Sequence, residues 1–243
     1  MKDNELERLS PLILALDTTD LARGIEIAVE VKEYVDIVKV GLQLFSAEGP
    51  GAVRRLREEG LEVFLDLKLN DIPNTVASAC LALCELEPLM LTLHAMGGQE
   101  MMMFARRAVG ERCKEAGLRR PQLIGVTVLT SLDLQALEKT GVSGPVDEEV
   151  LRLARLVRES GLDGLVTSPL ETQSVRRAVG EEIVLITPGV RLAGVSKDDQ
   201  KRVATPGEAV RAGADFLVVG RPIYTAEEPR KAAAEILKDT GRL

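Results

Sequence analysis

Eight runs of aliphatic residues recur along the chain, at positions 12–17, 36–41, 62–66, 89–94, 122–130, 164–167, 183–187 and 215–219. Each is nearly continuous in Leu, Ile, Val and Ala. Strands buried on both faces read this way, whereas half-buried strands alternate with polar residues. Between the runs the apolar positions fall at helical spacing, which predicts helices near 20–34, 50–59, 72–86, 147–160, 169–179, 206–212 and 227–238. A further helix begins after Gly97-Gly98 and runs to about 116. The stretch 131–145 is less regular, with a loop at 141–145, and 188–204 reads as a long polar connection.

Strand and helix alternating eight times imply right-handed crossovers and a parallel sheet. Eight such units in 243 residues fit a closed (β/α)8 TIM barrel, taken as a single domain over 1–243. An open doubly wound sheet is the rival. No G-x-G-x-x-G follows the first run, so a dinucleotide-binding version of that rival is disfavoured.

Composition narrows the function. Net charge is −7, which argues against a nucleic-acid or anionic-membrane binder but leaves room for a small anionic substrate. No apolar run is long enough to span a bilayer, and the charged first ten residues lack a signal region. The expected location is the cytoplasm. Three cysteines, Cys80, Cys84 and Cys113, suggest a reducing compartment. Cys80 and Cys84 lie four apart on a helix; a small buried hydrophobe is the favoured reading over a metal or redox pair.

In a barrel of this type the active site lies at the C-terminal ends of the strands. The first run ends at Asp17, the second carries Lys39, and the third supplies Asp66 and Lys68. His94 ends the fourth and Thr130 the fifth. Thr187-Pro188-Gly189 ends the seventh, with Arg191 beyond it, and Gly220-Arg221 ends the eighth. Asp66 and Lys68 are two apart, so a strand places both on one face, and Asp71 follows just past its end. A lone Asp-x-Lys is more often a structural ion pair, and a lone histidine at a strand end is as readily structural as functional. Seven strands presenting such groups at one rim favour a site. The seventh and eighth loops together, with two glycines and two arginines, suggest a phosphate grip.

The sequence from Asp66 to Thr75, Asp-Leu-Lys-Leu-Asn-Asp-Ile-Pro-Asn-Thr, resembles the signature of the orotidine 5′-phosphate decarboxylase family. Supporting motifs occur in order along nearly the whole chain: Leu16-Asp17, Val38-Lys39-Val40-Gly41, Leu93-His94-Ala95, Val128-Leu129-Thr130-Ser131, Thr187 to Arg191, Asp199-Gln200-Lys201-Arg202 and Val219 to Pro222. The resemblance implies a cofactor-free, metal-free lyase that turns orotidine 5′-phosphate into UMP and CO2, the last step of pyrimidine nucleotide biosynthesis. It implies a homodimer with shared active sites. Lys68 would donate the proton to C6, flanked by Asp66 and by Asp71 of the partner chain. Asp17 and Lys39 would hold ribose hydroxyls, with Thr75 contributed by the partner. Thr130 would lie near the pyrimidine, while Pro188, Arg191, Gln200, Gly220 and Arg221 would complete the ring and phosphate contacts.

Loss of CO2 from C6 leaves charge on an sp² carbon with little resonance relief. An ammonium at that carbon favours the carbanion and then supplies its proton. The alternating row Lys39, Asp66, Lys68, Asp71 would be preorganised, each charge fixing the next. Remote phosphate binding could close the loop 190–204 as a lid and expel water; the bland reading of that loop is an ordinary surface connection. The closest alternative is a Mg²⁺-dependent sugar-phosphate decarboxylase or aldolase of the same barrel superfamily, which shares D-x-K-x-x-D. A ribulose-phosphate epimerase would want several metal-binding histidines, and the chain has one. A sensor that binds nucleotide without turnover would not need a buried row of charges.

Overall fold

The computed structural model describes residues 6–191 and 204–242. Its eight strands are β1 Leu12–Leu16, β2 Ile37–Gly41, β3 Glu62–Leu69, β4 Met90–His94, β5 Gln122–Val126, β6 Gly164–Val166, β7 Val184–Pro188 and β8 Phe216–Val219. All neighbours pair in parallel and in chain order, and β8 returns to β1 through Ile13↔Val218, which closes the barrel. The expected (β/α)8 barrel is therefore the fold, and the open-sheet rival is excluded.

The helices are α1 Leu21–Glu30, α2 Leu42–Glu48, α3 Pro50–Glu58, α4 Pro73–Cys84, α5 Gln99–Ala116, α6 Leu134–Lys139, α7 Val146–Glu159, α8 Thr172–Val179, α9 Pro206–Arg211, α10 Arg221–Tyr224 and α11 Pro229–Thr240. Three of them escape the periodic reading because they are short. Helix α2 fills the gap left between the second strand and the helix expected at residue 50. Helix α6 sits inside the less regular stretch 131–145, ahead of its loop; the Asp133 carboxylate accepts from the Ala136 N–H at 3.0 Å and caps it. Helix α10 spans one turn directly after β8. Strand β5 stops at Val126, short of the expected Thr130, because β6 ends at Val166 and offers no partner further on. Strand β3 runs three residues past its expected end, to Leu69.

Side chains alternate across the regular parts of the strands, so one sheet builds two cores. Leu12, Leu14, Leu16, Val38, Val40, Leu65 and Leu91 face outward under the helices. Ile13, Ile37, Phe64, Met90, Ile124, Ile186 and Phe216 fill the barrel interior. Leu6, 5% exposed, packs on this interior cluster from the N-terminal side. With four Phe and no Trp in the chain, two of the scarce large rings are spent in the barrel's centre. That inner cluster is apolar only in its lower layers. Two residues above Phe64 the same face of β3 carries Asp66, and two above Ile37 the same face of β2 carries Lys39. The barrel thus turns from hydrocarbon to charge within one pleat period.

Candidate active site

Four charges form a connected row across three adjacent strands. Asp17, just past β1, accepts from the Lys39 ammonium, Nζ to Oδ1, at 2.9 Å. Lys39 lies 3.7 Å from Oδ2 of Asp66. The same oxygen takes a hydrogen bond from Lys68 Nζ at 2.7 Å. Lys39 and Asp66 are 9% and 7% exposed, so these charges are largely withdrawn from water and need each other. Gly41 makes the packing possible: a Cβ there would come 2.9 Å from Lys39 Nζ.

Asp66 and Lys68 do share a face, but not by simple strand alternation. Pairing between β3 and β4 goes from Leu65↔Leu91 to Leu69↔Leu93, so β3 carries two more residues than β4 over that interval. Lys68 sits at φ 51°, in the left-handed region that a side chain with a Cβ rarely occupies. Such a conformation costs about 1–3 kcal/mol and persists only where surroundings hold it. The Lys68 N–H donates to Thr92 Oγ1 at 2.7 Å, and the Thr92 hydroxyl donates to Asp66 Oδ1 at 3.1 Å.

The row forms one wall of a cavity of about 380 Å³ at the C-terminal mouth of the barrel. That volume suits a small-molecule ligand. Of the residues singled out in the sequence, Asp17, Lys39, Asp66, Lys68, Thr130, Pro188, Arg191, Gly220 and Arg221 all line it. Strand order sets their sequence around the rim: Arg191 after β7, Arg221 after β8, Asp17 after β1, Lys39 on β2, then Asp66 and Lys68 on β3. The side built by β5 and β6 is mainly apolar, with Val126, Val128, Leu129 and Val166 beside Thr130, Thr167 and Ser168. The cavity thus offers two arginines after β7 and β8, alternating charge along β1 to β3, and a mainly apolar side along β5 and β6.

Beyond β7 the backbone turns at Gly189, φ 84°, and the Arg191 N–H donates to the Ala204 carbonyl at 3.0 Å, so the two ends of the connection are bridged. The rest of the expected lid, including Gln200, lies outside the described residues.

Asp71 and Thr75 do not reach this cavity within one chain. Both are exposed at the start of α4, and Asp71 Oδ1 accepts from the Ile72 N–H at 2.7 Å. Ile72 beside them is 66% exposed, an apolar side chain facing outward. Thr187, read as a rim group, points away from the cavity; its hydroxyl meets that of Thr172 on α8 at 3.3 Å. His94 ends β4, and its Nδ1 accepts from the Met96 N–H at 3.4 Å, which places the neutral-state proton on Nε2. Burial, and then the positive charge of Lys68, push its pKa below the ordinary histidine value.

Two contributions were missed in the sequence. Thr92 lies behind the charge row, and its only signal was a hydroxyl inside an aliphatic run, between Leu91 and Leu93. Thr167 and Ser168 line the cavity after β6, the one strand to which no rim group had been assigned; the Ser168 hydroxyl donates to the buried Glu171 carboxylate. Cys80, Cys84 and Cys113 are buried free thiols; burial pushes the Cys80 thiol up to about 12, which makes it inert.

Residues 10–236 match the family model described as orotidine 5′-phosphate decarboxylase / HUMPS family. The chain is 50% identical to an orotidine 5′-phosphate decarboxylase of Moorella thermoacetica over 226 residues, 93% of this chain and 90% of that one. It is 47% identical to the decarboxylase of the same name from Syntrophotalea carbinolica, over 96% of both chains. Among solved structures, orotidine 5′-phosphate decarboxylase from Lactobacillus acidophilus superposes with a TM-score of 0.82 at 35% identity, covering 95% of this chain and 98% of that one.

Proposed function

The chain belongs to the orotidine 5′-phosphate decarboxylase / HUMPS family, and we propose how its barrel performs the decarboxylation of orotidine 5′-phosphate to UMP and CO2. The pyrimidine lies between the charge row and the apolar wall, with Thr130 beside the ring. Arg191, Gly220 and Arg221 grip the phosphate, joined by Gln200, and Pro188 closes the site beside them. Asp17 and Lys39 take the ribose hydroxyls. C6 then faces Lys68.

In this reading the C6–carboxylate bond breaks heterolytically, CO2 departs, and the electron pair stays on C6. The Lys68 ammonium stabilises that pair and transfers a proton to it, giving UMP and a neutral amine that regains its proton from water. The geometry supports fixed charges because every partner of Lys68 is itself held. Asp66 cannot swing, since Oδ1 is engaged by Thr92 and Oδ2 by Lys68 and Lys39. Preorganised groups of this kind need little rearrangement when the carbanion forms. The observation that carries the reading is the 2.7 Å pair of Lys68 and Asp66 in one cavity with two arginines.

The reading is metal-free. What supports it is that the Asp66 carboxylate already faces two ammonium groups, Lys68 at 2.7 Å and Lys39 at 3.7 Å, whose positive charges would repel a Mg²⁺ there. Disappearance of orotidine 5′-phosphate, followed by absorbance with and without EDTA, tests this. Full turnover in chelator is expected; loss restored by Mg²⁺ would move the assignment to the metal-dependent branch.

The barrel acts as a homodimer in the cytoplasm. Asp71 and Thr75 lie outside the cavity of their own chain, next to the outward-facing Ile72, which suits residues that complete a neighbour's site. Mixing inactive Asp71→Ala with inactive Lys68→Ala subunits should restore turnover, because one hybrid site then has both groups. No recovery in verified heterodimers would mean each chain is self-sufficient. The helices offer none long and apolar enough to cross a membrane among the described residues.

A further inference from the structure

We infer that Thr92 is the positioning residue for Lys68, an inference that rests on Lys68 as the proton donor. The argument starts from the irregularity in β3. Between Leu65 and Leu69 the strand carries more residues than β4 opposite it, so its regular ladder cannot continue through Asp66, Leu67 and Lys68. Lys68 is left in a left-handed backbone conformation with an amide that needs an acceptor. Thr92 Oγ1 supplies it at 2.7 Å.

A hydroxyl has one proton and two lone pairs, so accepting from Lys68 leaves its own proton to give. That proton goes to Asp66 Oδ1 at 3.1 Å. One atom thereby fixes the backbone of the lysine and the carboxylate that aims its ammonium. With Oδ1 held by Thr92, Oδ2 is presented to Lys68 Nζ at 2.7 Å and to Lys39 Nζ at 3.7 Å. Thr92 is fully buried between Leu91 and Leu93 and is not among the residues lining the cavity. It acts only through Lys68 and Asp66. On packing grounds valine, of the same shape, would suit that buried strand as well; only the paired hydrogen bonds require threonine.

The prediction is a change in turnover without a change in binding. Thr92→Val should lower kcat by about 10²-fold, the penalty for misplacing a reacting group by an ångström. KM and the dissociation constant of UMP should stay within about threefold, since the ammonium still occupies the wall and only its aim is lost. Thr92→Ser keeps the hydroxyl and should recover kcat to within about threefold of wild type, on the same grounds. Thr92→Ala is measured in parallel, so that a folding defect in one aliphatic replacement does not decide the outcome. In a Lys68→Ala background Thr92→Val should cost nothing more, because the group it positions is gone.

Wild-type kcat in both aliphatic variants would overturn the inference. So would a loss in Thr92→Val that persists undiminished in the Lys68→Ala background, or a folded Thr92→Ser with no recovery. Failure of the premise is distinguishable: Lys68→Ala would then itself keep substantial turnover, whatever residue 92 is.

Discussion

At the N-terminal rim of the barrel, Asp163 accepts from the Leu123 N–H at 2.8 Å and pairs with both terminal nitrogens of Arg120 at 2.7 and 2.9 Å. Two repeats on, Asp215 joins strand and arginine likewise, accepting from the Leu185 N–H at 2.8 Å and from the buried Arg176 at 2.7 Å. At the opposite rim, Asp17 and Asp66 bind no strand amide in this way and instead face lysine ammonium groups lining the cavity. The residue type is the same at both ends. The partner differs: at the lower rim a carboxylate splices an arginine and a neighbouring strand together, whereas at the upper rim it holds a lysine ammonium at the cavity wall. Arginine, planar and always charged, suits the first task; lysine, a point charge able to give up a proton, suits the second.

Exchanging the roles experimentally should therefore separate turnover from stability. Asp66→Asn should have the largest effect on chemistry, a fall in kcat of about 10²–10³-fold, comparable to removing one preorganised group at a reacting centre. Its melting temperature should fall less than that of the next variant, because buried Lys39 keeps Asp17 at 2.9 Å as a carboxylate partner. Asp215→Ala should do the reverse. Arg176 is 8% exposed; without Asp215 it keeps the solvent-exposed Glu181 at 3.7 Å, and a buried cation that loses its close carboxylate costs about 3–5 kcal/mol. Urea unfolding should show that loss while kcat of the folded fraction stays close to wild type. If Asp66→Asn unfolds the barrel and Asp215→Ala silences turnover at full stability, the contrast between the rims is wrong.

A smaller effect concerns the single histidine. The His94 pKa lies below the ordinary value, because burial and then Lys68 disfavour its protonated form. Below about pH 6.5 the unfolded chain therefore binds a proton that the folded chain does not. The sign follows: stability contributed by neutral His94 is present above that pH and declines as pH falls toward the folded-state pKa. His94→Asn should flatten the stability profile between pH 7.5 and 5.5, as read from urea midpoints. An unchanged slope would mean that His94 titrates alike in both states.

Most of the barrel was legible because its strands are buried on both faces, so each shows as an unbroken aliphatic run, and most rim groups hang from the ends of those runs. Asp17, Lys39, Asp66 and Arg221 could be found that way. What could not be found depends on backbone detail or on length. The left-handed turn at Lys68 has no glycine to announce it, and Thr92 matters only because of that turn. Helices α2 and α6 are too short to establish a period. Thr187 misled because a strand end fixes height along the barrel but not which face a side chain takes; alternation from Ile186, which is inside, sends Thr187 outward. Asp71 and Thr75 lie outside the cavity of their own chain, so the packing of one chain gives them no place in it.

The proposed chemistry rests on the ammonium of Lys68, held by Asp66 at 2.7 Å, so the most direct test replaces it. Lys68→Ala should leave the melting temperature within a few degrees of wild type and the binding of UMP largely intact. Release of CO2 from orotidine 5′-phosphate should fall by at least about 10²-fold, the lower bound for losing a general acid. A folded Lys68→Ala protein that still releases CO2 at more than about a hundredth of the wild-type rate would contradict the account, because the proton would then come from elsewhere.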